Sequence, residues 1–232
     1  MQKKLSVMAM LACFLLSFSA IAGNDYLISK SQLKAKTPDE ALNRLKAGNK
    51  RFVSGNLKQL NLMEMVKQSE RGQHPGAIVL SCIDSRVPVE IVFDQGVGNV
   101  FVARTAGNVL SEDTIAGLEY ATGVVGSKLI VVLGHEDCGA VGSACKGVKL
   151  AHITQLLDKI QPAVKEMKAK DPKGSCKNED FVDDITSVNA QNVAKEVVAR
   201  SELIKKLVDE GKIKVVSAIY HTDTGEVEFF EN

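Results

Sequence analysis

At 232 residues, 45% hydrophobic and 25% charged, the chain has ordinary globular composition and enough length for one α/β domain. Its formal net charge is +1, and removing a leader that carries Lys3 and Lys4 leaves 27 basic against 28 acidic residues. That balance, with no Trp and only three Tyr, argues against a clustered basic face or an aromatic stacking platform, so no nucleic-acid partner is expected.

Residues 1–22 read as a secretory signal: Lys3 and Lys4 form the basic start, Leu5 to Phe18 the apolar stretch, and Ala20-Ile21-Ala22 the small-residue cleavage site. A membrane anchor is the weaker reading, because the apolar stretch is short for a span of ~20 residues. A lipoprotein site at Cys13 has too little apolar sequence before it. Export, cleavage before Gly23 and a periplasmic product without membrane association are the expectation. Residues 23–36 read as a polar arm and residues 37–232 as a single domain.

Thr37-Pro38-Asp39-Glu40 is a helix start, with Thr as cap, Pro in the first turn and Glu closing a capping box; the helix should run to about Ser54 and stop at Gly55. A short helix is expected over Leu62 to Glu70. The apolar run Ala77-Ile78-Val79-Leu80 reads as a buried strand, Val87 to Phe93 as a short helix and Val100 to Ala103 as a second strand. Ser111 should cap a helix through about Val125, with Ile115, Leu118 and Thr122 facing the core. A third strand covers Leu129 to Gly134, and the small-residue stretch Gly139 to Gly147 suits a tight turn. Ile153 to Ala169 reads as an amphipathic helix interrupted at Pro162. Phe181 to about Asp209 is helical with a joint at Ser201. Ile213 to Tyr220 is a fourth strand, and Val227 to Phe230 a final edge strand after the Asp223-Thr224-Gly225 turn. Alternating strands and helices predict a mostly parallel sheet flanked by helices, with an antiparallel edge strand.

The chemistry gathers where two strands end. Ser81-Cys82-Ile83-Asp84-Ser85-Arg86 follows the first strand, and alternate residues of an extended segment point one way, so Cys82, Asp84 and Arg86 could share a cleft. His135-Glu136-Asp137-Cys138-Gly139 follows the third strand. Sites in open parallel sheets form at the carboxyl ends of strands. Cys82, His135 and Cys138 are a ligand set that favours tetrahedral zinc, and three protein ligands leave the fourth position open, the catalytic arrangement. In a purely structural site Asp84 would fill that position, but a guanidinium two residues on competes for its carboxylate. A nucleophilic Cys–His pair would leave one thiol idle.

Three blocks resemble the signature of β-class carbonic anhydrases: Cys82-Ile83-Asp84-Ser85-Arg86-Val87-Pro88, Arg104-Thr105-Ala106-Gly107-Asn108 and Gly134-His135-Glu136-Asp137-Cys138-Gly139-Ala140-Val141. The resemblance extends from about Thr37 to the C-terminus. It implies a catalytic domain in which Cys82, His135 and Cys138 bind one Zn2+ per subunit and Asp84 with Arg86 forms the catalytic dyad. It further implies that Gln73 and the Gly139 N–H contact substrate, and that Phe101 and Tyr120 line an apolar CO2 pocket, partly from a neighbouring subunit. The activity implied is reversible hydration of CO2 to bicarbonate and a proton by zinc-bound hydroxide, in a homodimer or homotetramer. Hydrolysis of a CO2 analogue such as carbonyl sulfide or carbon disulfide, and a non-catalytic zinc-binding role, are the alternatives. Two thiolates offset the charge of the metal, so activity should rise toward alkaline pH, with Asp84 closing the site at low pH.

The chain departs from that family pattern at Ile83, where Ser is common and which reads as a buried-side change, and at Thr105, where Asn is usual. It has Val79 where a bicarbonate-inhibited branch carries Trp. Cys145 and Cys176 are either unpaired or joined. His74, His152 and His221 are candidate proton shuttles, though surface positions are the plainer reading. Glu136 and Asp137 read as solvent-facing, Met63 and Met65 as packing residues, and Lys165 to Lys177 as a solvated stretch.

Overall fold

The computed structural model describes residues 35–230. The signal segment 1–22 with Cys13, and the arm up to residue 34, lie outside the described residues. Among those described, no helix is long and apolar enough to cross a membrane.

Thr37 caps α1 (Pro38–Val53), its hydroxyl accepting from the Glu40 N–H. The Glu40 carboxylate reaches past the cap residue to the Lys36 N–H at 2.8 Å, so the capping box closes one residue early. Then come α2 (Leu62–Ser69), β1 (Ala77–Ser81), α3 (Val89–Val92) and β2 (Val100–Arg104). Ser111 caps α4 (Glu112–Glu119), which widens into a π-helical turn over Tyr120–Val125. Ile115, Leu118 and Thr122 are buried as their spacing requires, and the Thr122 hydroxyl donates back to the Leu118 carbonyl at 2.8 Å.

β3 (Leu129–His135) leads directly to α5 (Gly139–Cys145). The expectation of a turn at this stretch is corrected. Val141, Ala144 and Cys145 recur at helical spacing and are buried, and that apolar face outweighs the poor helix propensity of Gly139 and Gly142. Pro162 does divide the next segment, into α6 (Ala151–Asp158) and α7 (Gln161–Lys170), where it occupies the first turn of α7. Ser201 is the joint between α8 (Glu179–Arg200) and α9 (Glu202–Asp209), capping the latter through its hydroxyl. The chain closes with β4 (Lys214–Tyr220) and β5 (Val227–Phe230).

The sheet order is β2-β1-β3-β4-β5, with every pairing parallel except β4 with β5. β1 and β3 are buried along their whole length, as continuous apolar runs flanked on both faces must be. One face (Val79, Val131, Leu133, Val216) packs on α1 and α3. The other (Ile78, Leu80, Ile130, Val132, Ile219) packs on α4, α8 and α9. A third cluster sits beyond the carboxyl ends of β1 and β3, where Val109, Val141, Ile160 and Ile185 surround Cys82 and Cys138.

Candidate metal centre

Register carries both ligand segments to one edge. Ser81 pairs with Leu133, so Cys82 leaves β1 beside the last turn of β3, and His135 is the final residue of that strand. Cys138 is the N-cap of α5 but gives no side-chain cap; its sulfur faces Cys82 instead. Donor atoms of Cys82, His135 and Cys138 all lie within 4.8 Å of one another, and all three residues are buried.

These residues fit a zinc ion by a test independent of spacing. The His135 ring sets its Nδ1 at 2.7 Å from the Glu136 carbonyl, which can only accept, so that nitrogen carries the proton. Nε2 is then left with a lone pair, buried and without a hydrogen-bond partner. A bare imidazole nitrogen aimed at two free thiols is the donor set of a soft tetrahedral site. The Cys138 thiol and the Gly107 N–H, at 3.3 Å, both support charge on the Cys82 sulfur and hold its pKa far below the thiol range. Cys138 is pushed up in turn, by the Cys82 sulfur first and by burial second.

The Asp84 carboxylate is gripped from one side. Arg86 donates from Nε to Oδ1 at 3.0 Å and from Nη2 to Oδ2 at 2.9 Å, and its backbone N–H adds a third bond to Oδ1 at 2.9 Å. That grip, led by the guanidinium, holds the carboxyl down to about 2. Asp84 Oδ2 stands 3.9 Å from His135 Nε2, beside the three donors. Strand alternation accounts for Cys82 and Asp84 but not for Arg86. The chain turns after Asp84 (Val87 N–H to Asp84 carbonyl, 3.1 Å), and the Arg86 side chain doubles back.

Gly139 opens α5, so its N–H has no intrahelical acceptor. Phe101 lies in β2 opposite Ile78 and is half-buried against the core, while Tyr120 is exposed. Gln73 is not brought to the centre within one chain. It is exposed and precedes the amino end of β1, whereas Cys82 follows the carboxyl end, ~16 Å away at strand rise.

Several readings are corrected. Ile83 is 61% exposed rather than on the buried side, because its neighbours Cys82 and Asp84 take the inward face. Glu136 is half-buried rather than solvent-facing: its carboxylate meets His221 Nδ1 at 2.7 Å and the Thr222 N–H at 3.2 Å. Met65 packs in the core, but Met63 is exposed. Of the two alternatives left open for Cys145 and Cys176, the structure has them joined in a disulfide.

Sequence reading assigned no role to Arg104, yet it braces the centre. Its guanidinium donates to the Cys82 carbonyl at 2.9 Å and to the Asp84 carbonyl. The signal was available, since Arg104 also ends a strand and pairs with Ser81. Asp137, with a left-handed φ of 54°, is tied by its N–H to Asp183 at 3.0 Å and by its carbonyl to Arg86 at 3.3 Å.

The fold is shared with solved β-carbonic anhydrases. The structure of the β-carbonic anhydrase CcaA aligns with a TM-score of 0.68 at 24% identity, covering 82% of this chain and 95% of that one. The Coccomyxa enzyme in complex with acetazolamide aligns at 0.63 and 23% identity, covering 82% and 81%. Two β-carbonic anhydrases of Sordaria macrospora, described as tetrameric, align at 0.67 and 22%, covering 83% and 94%. By sequence, a family model described as carbonic anhydrase matches residues 77–227. Carbonic anhydrase 2 of Mycobacterium tuberculosis is 32% identical over 194 residues, 81% of this chain and 90% of that protein. The carbonic anhydrase of Mycolicibacterium smegmatis is 33% identical over 197 residues, 82% and 92%. The chain belongs to the carbonic anhydrase family, and its fold is that of the β-class structures.

Proposed function

We propose that this protein reversibly hydrates CO2 to bicarbonate and a proton, with Cys82, His135 and Cys138 holding one zinc ion. The observation that carries the reading is the division of labour at the site. Three buried donors converge with a bare Nε2, while the adjacent carboxylate is already held by Arg86 and so does not serve as a fourth ligand. Zinc held there would supply a Lewis acid that makes water nucleophilic near neutral pH.

The chain's own residues do the rest. Asp84, ionised and fixed by Arg86, accepts a hydrogen bond from the nucleophile and turns its lone pair toward the carbon of CO2. Arg104 keeps the Cys82–Asp84 backbone from shifting as charge develops. The Gly139 N–H donates to a substrate oxygen at a helix start where a donor is unspent. Gln73 serves the centre of a second copy, and Phe101 and Tyr120 contribute apolar walls across the same junction, which supports a homodimer or a doubled tetramer. The leader supports export to the periplasm.

Stopped-flow CO2 hydration by zinc-loaded protein tests this. Wild type should be active, with rate rising toward alkaline pH, and Asp84→Ala should keep its zinc while losing about 100-fold in rate. An inactive wild type at pH 8.5 with one zinc bound would refute the assignment.

A further inference from the structure

The third ligand, Cys138, is the N-cap of a short helix. α5 has seven residues, two of them glycine, and each Gly costs about 1 kcal/mol of helix stability relative to Ala. Helices this short do not persist on propensity alone. Its N-cap side chain makes no capping hydrogen bond. Burial of Val141, Gly142 and Ala144 and a 2.8 Å bond from Gln161 Nε2 to the Ala144 carbonyl hold it against its neighbours.

The remaining tie is covalent. Cys145, the last residue of α5, is bonded to Cys176, with Cα atoms 5.6 Å apart. Cys176 lies two residues before Asn178, the N-cap of the 22-residue α8. α8 is packed along the sheet through Ile185, Ala190, Val193 and Val197, so the disulfide ties α5 to the segment that leads directly into a well-packed helix. A cleft of about 380 Å³ lies between them, lined by Cys138, Gly139, Gly142, Cys176, Val182 and Asp183.

We propose that the Cys145–Cys176 disulfide is a retention clamp for the metal centre, fixing the far end of α5 so that Cys138 at its near end stays aimed at Cys82 and His135. Seven helical residues span about 10 Å, so the covalent anchor acts about that distance from the ligand sulfur. Both cysteines are positioning residues; neither touches the reacting atoms. The proposal rests on the reading of Cys82, His135 and Cys138 as zinc ligands.

The test follows zinc release from loaded full-length protein into a chromogenic chelator, in wild type and in Cys145→Ala/Cys176→Ala, with amide hydrogen exchange on both. The expected result is equal initial loading, release about tenfold faster in the variant, and lost protection confined to the α5 amides of residues 142–146 while β1 and β3 keep theirs. Release within about twofold of wild type, or protection lost uniformly across the sheet, overturns the clamp. Should the double variant not fold, Cys176→Ser is read by the same two measurements; if neither folds, the disulfide is a general staple and the proposal fails. A wild type that takes up no zinc refutes the metal reading itself, an outcome distinct from all of these.

Discussion

Two arms bring cysteine to the metal centre, and they are held by unlike means. Cys82 hangs from β1, a strand in mid-sheet whose five residues are all buried, and its carbonyl is pinned by Arg104 from the next strand. Cys138 begins a short glycine-bearing helix whose stability comes from a few apolar contacts, one side-chain bond and a disulfide. The first arm is placed by the same burial that makes the fold; the second has to be fastened after the fold exists. A ligand at a central strand end inherits rigidity, whereas one beyond a strand needs dedicated ties.

Removing a ligand from either arm erases the difference and gives the largest effect. Cys138→Ala should lose both zinc and CO2 hydration, checked by metal content and stopped flow on the same preparation. Leu80→Ala, beneath Cys82, should destabilise the whole domain by about 2–5 kcal/mol, because it opens a cavity in a fully buried strand. Zinc loss in that variant should track global unfolding in urea. If it preceded unfolding, the strand arm would be as locally mobile as the helix arm and the contrast would break. His221→Ala removes the imidazole holding the Glu136 carboxylate, and should weaken zinc affinity about tenfold with little change in melting temperature. Ile83→Ser, on the exposed side of the strand arm, should change stability by no more than about 0.5 kcal/mol by thermal melt.

How much of this was legible in the sequence divides along the same line. The sheet, its strands and the strand-end chemistry were readable because short apolar runs and the Cys82-x-Asp84 alternation are local signals. Pro162 and Ser201 marked real breaks because proline and a capping hydroxyl act on their own backbone. α5 was misread because burial of Val141, Ala144 and Cys145, a tertiary effect, overrode glycine content. Glu136 was misread because its partners, His221 and Thr222, lie 85 and 86 residues on. The disulfide partners are 31 positions apart, and nothing in that spacing says whether they meet. Gln73 was grouped with the site by resemblance, although its place before the first strand puts it a strand length from Cys82 within one chain.

The Gly107 amide that reaches the Cys82 sulfur has a consequence for how this centre can vary. Gly107 has a left-handed φ of 64°, and a Cβ there would stand 2.8 Å from Ile160 Cδ1 and 3.3 Å from Ala140 Cβ. The electron-donating strength of that thiolate is thus tempered by a main-chain dipole, which no exchange of side chains elsewhere can delete. One of the supports of that sulfur is therefore fixed by a turn whose left-handed backbone disfavours any side chain, whatever residues line the rim.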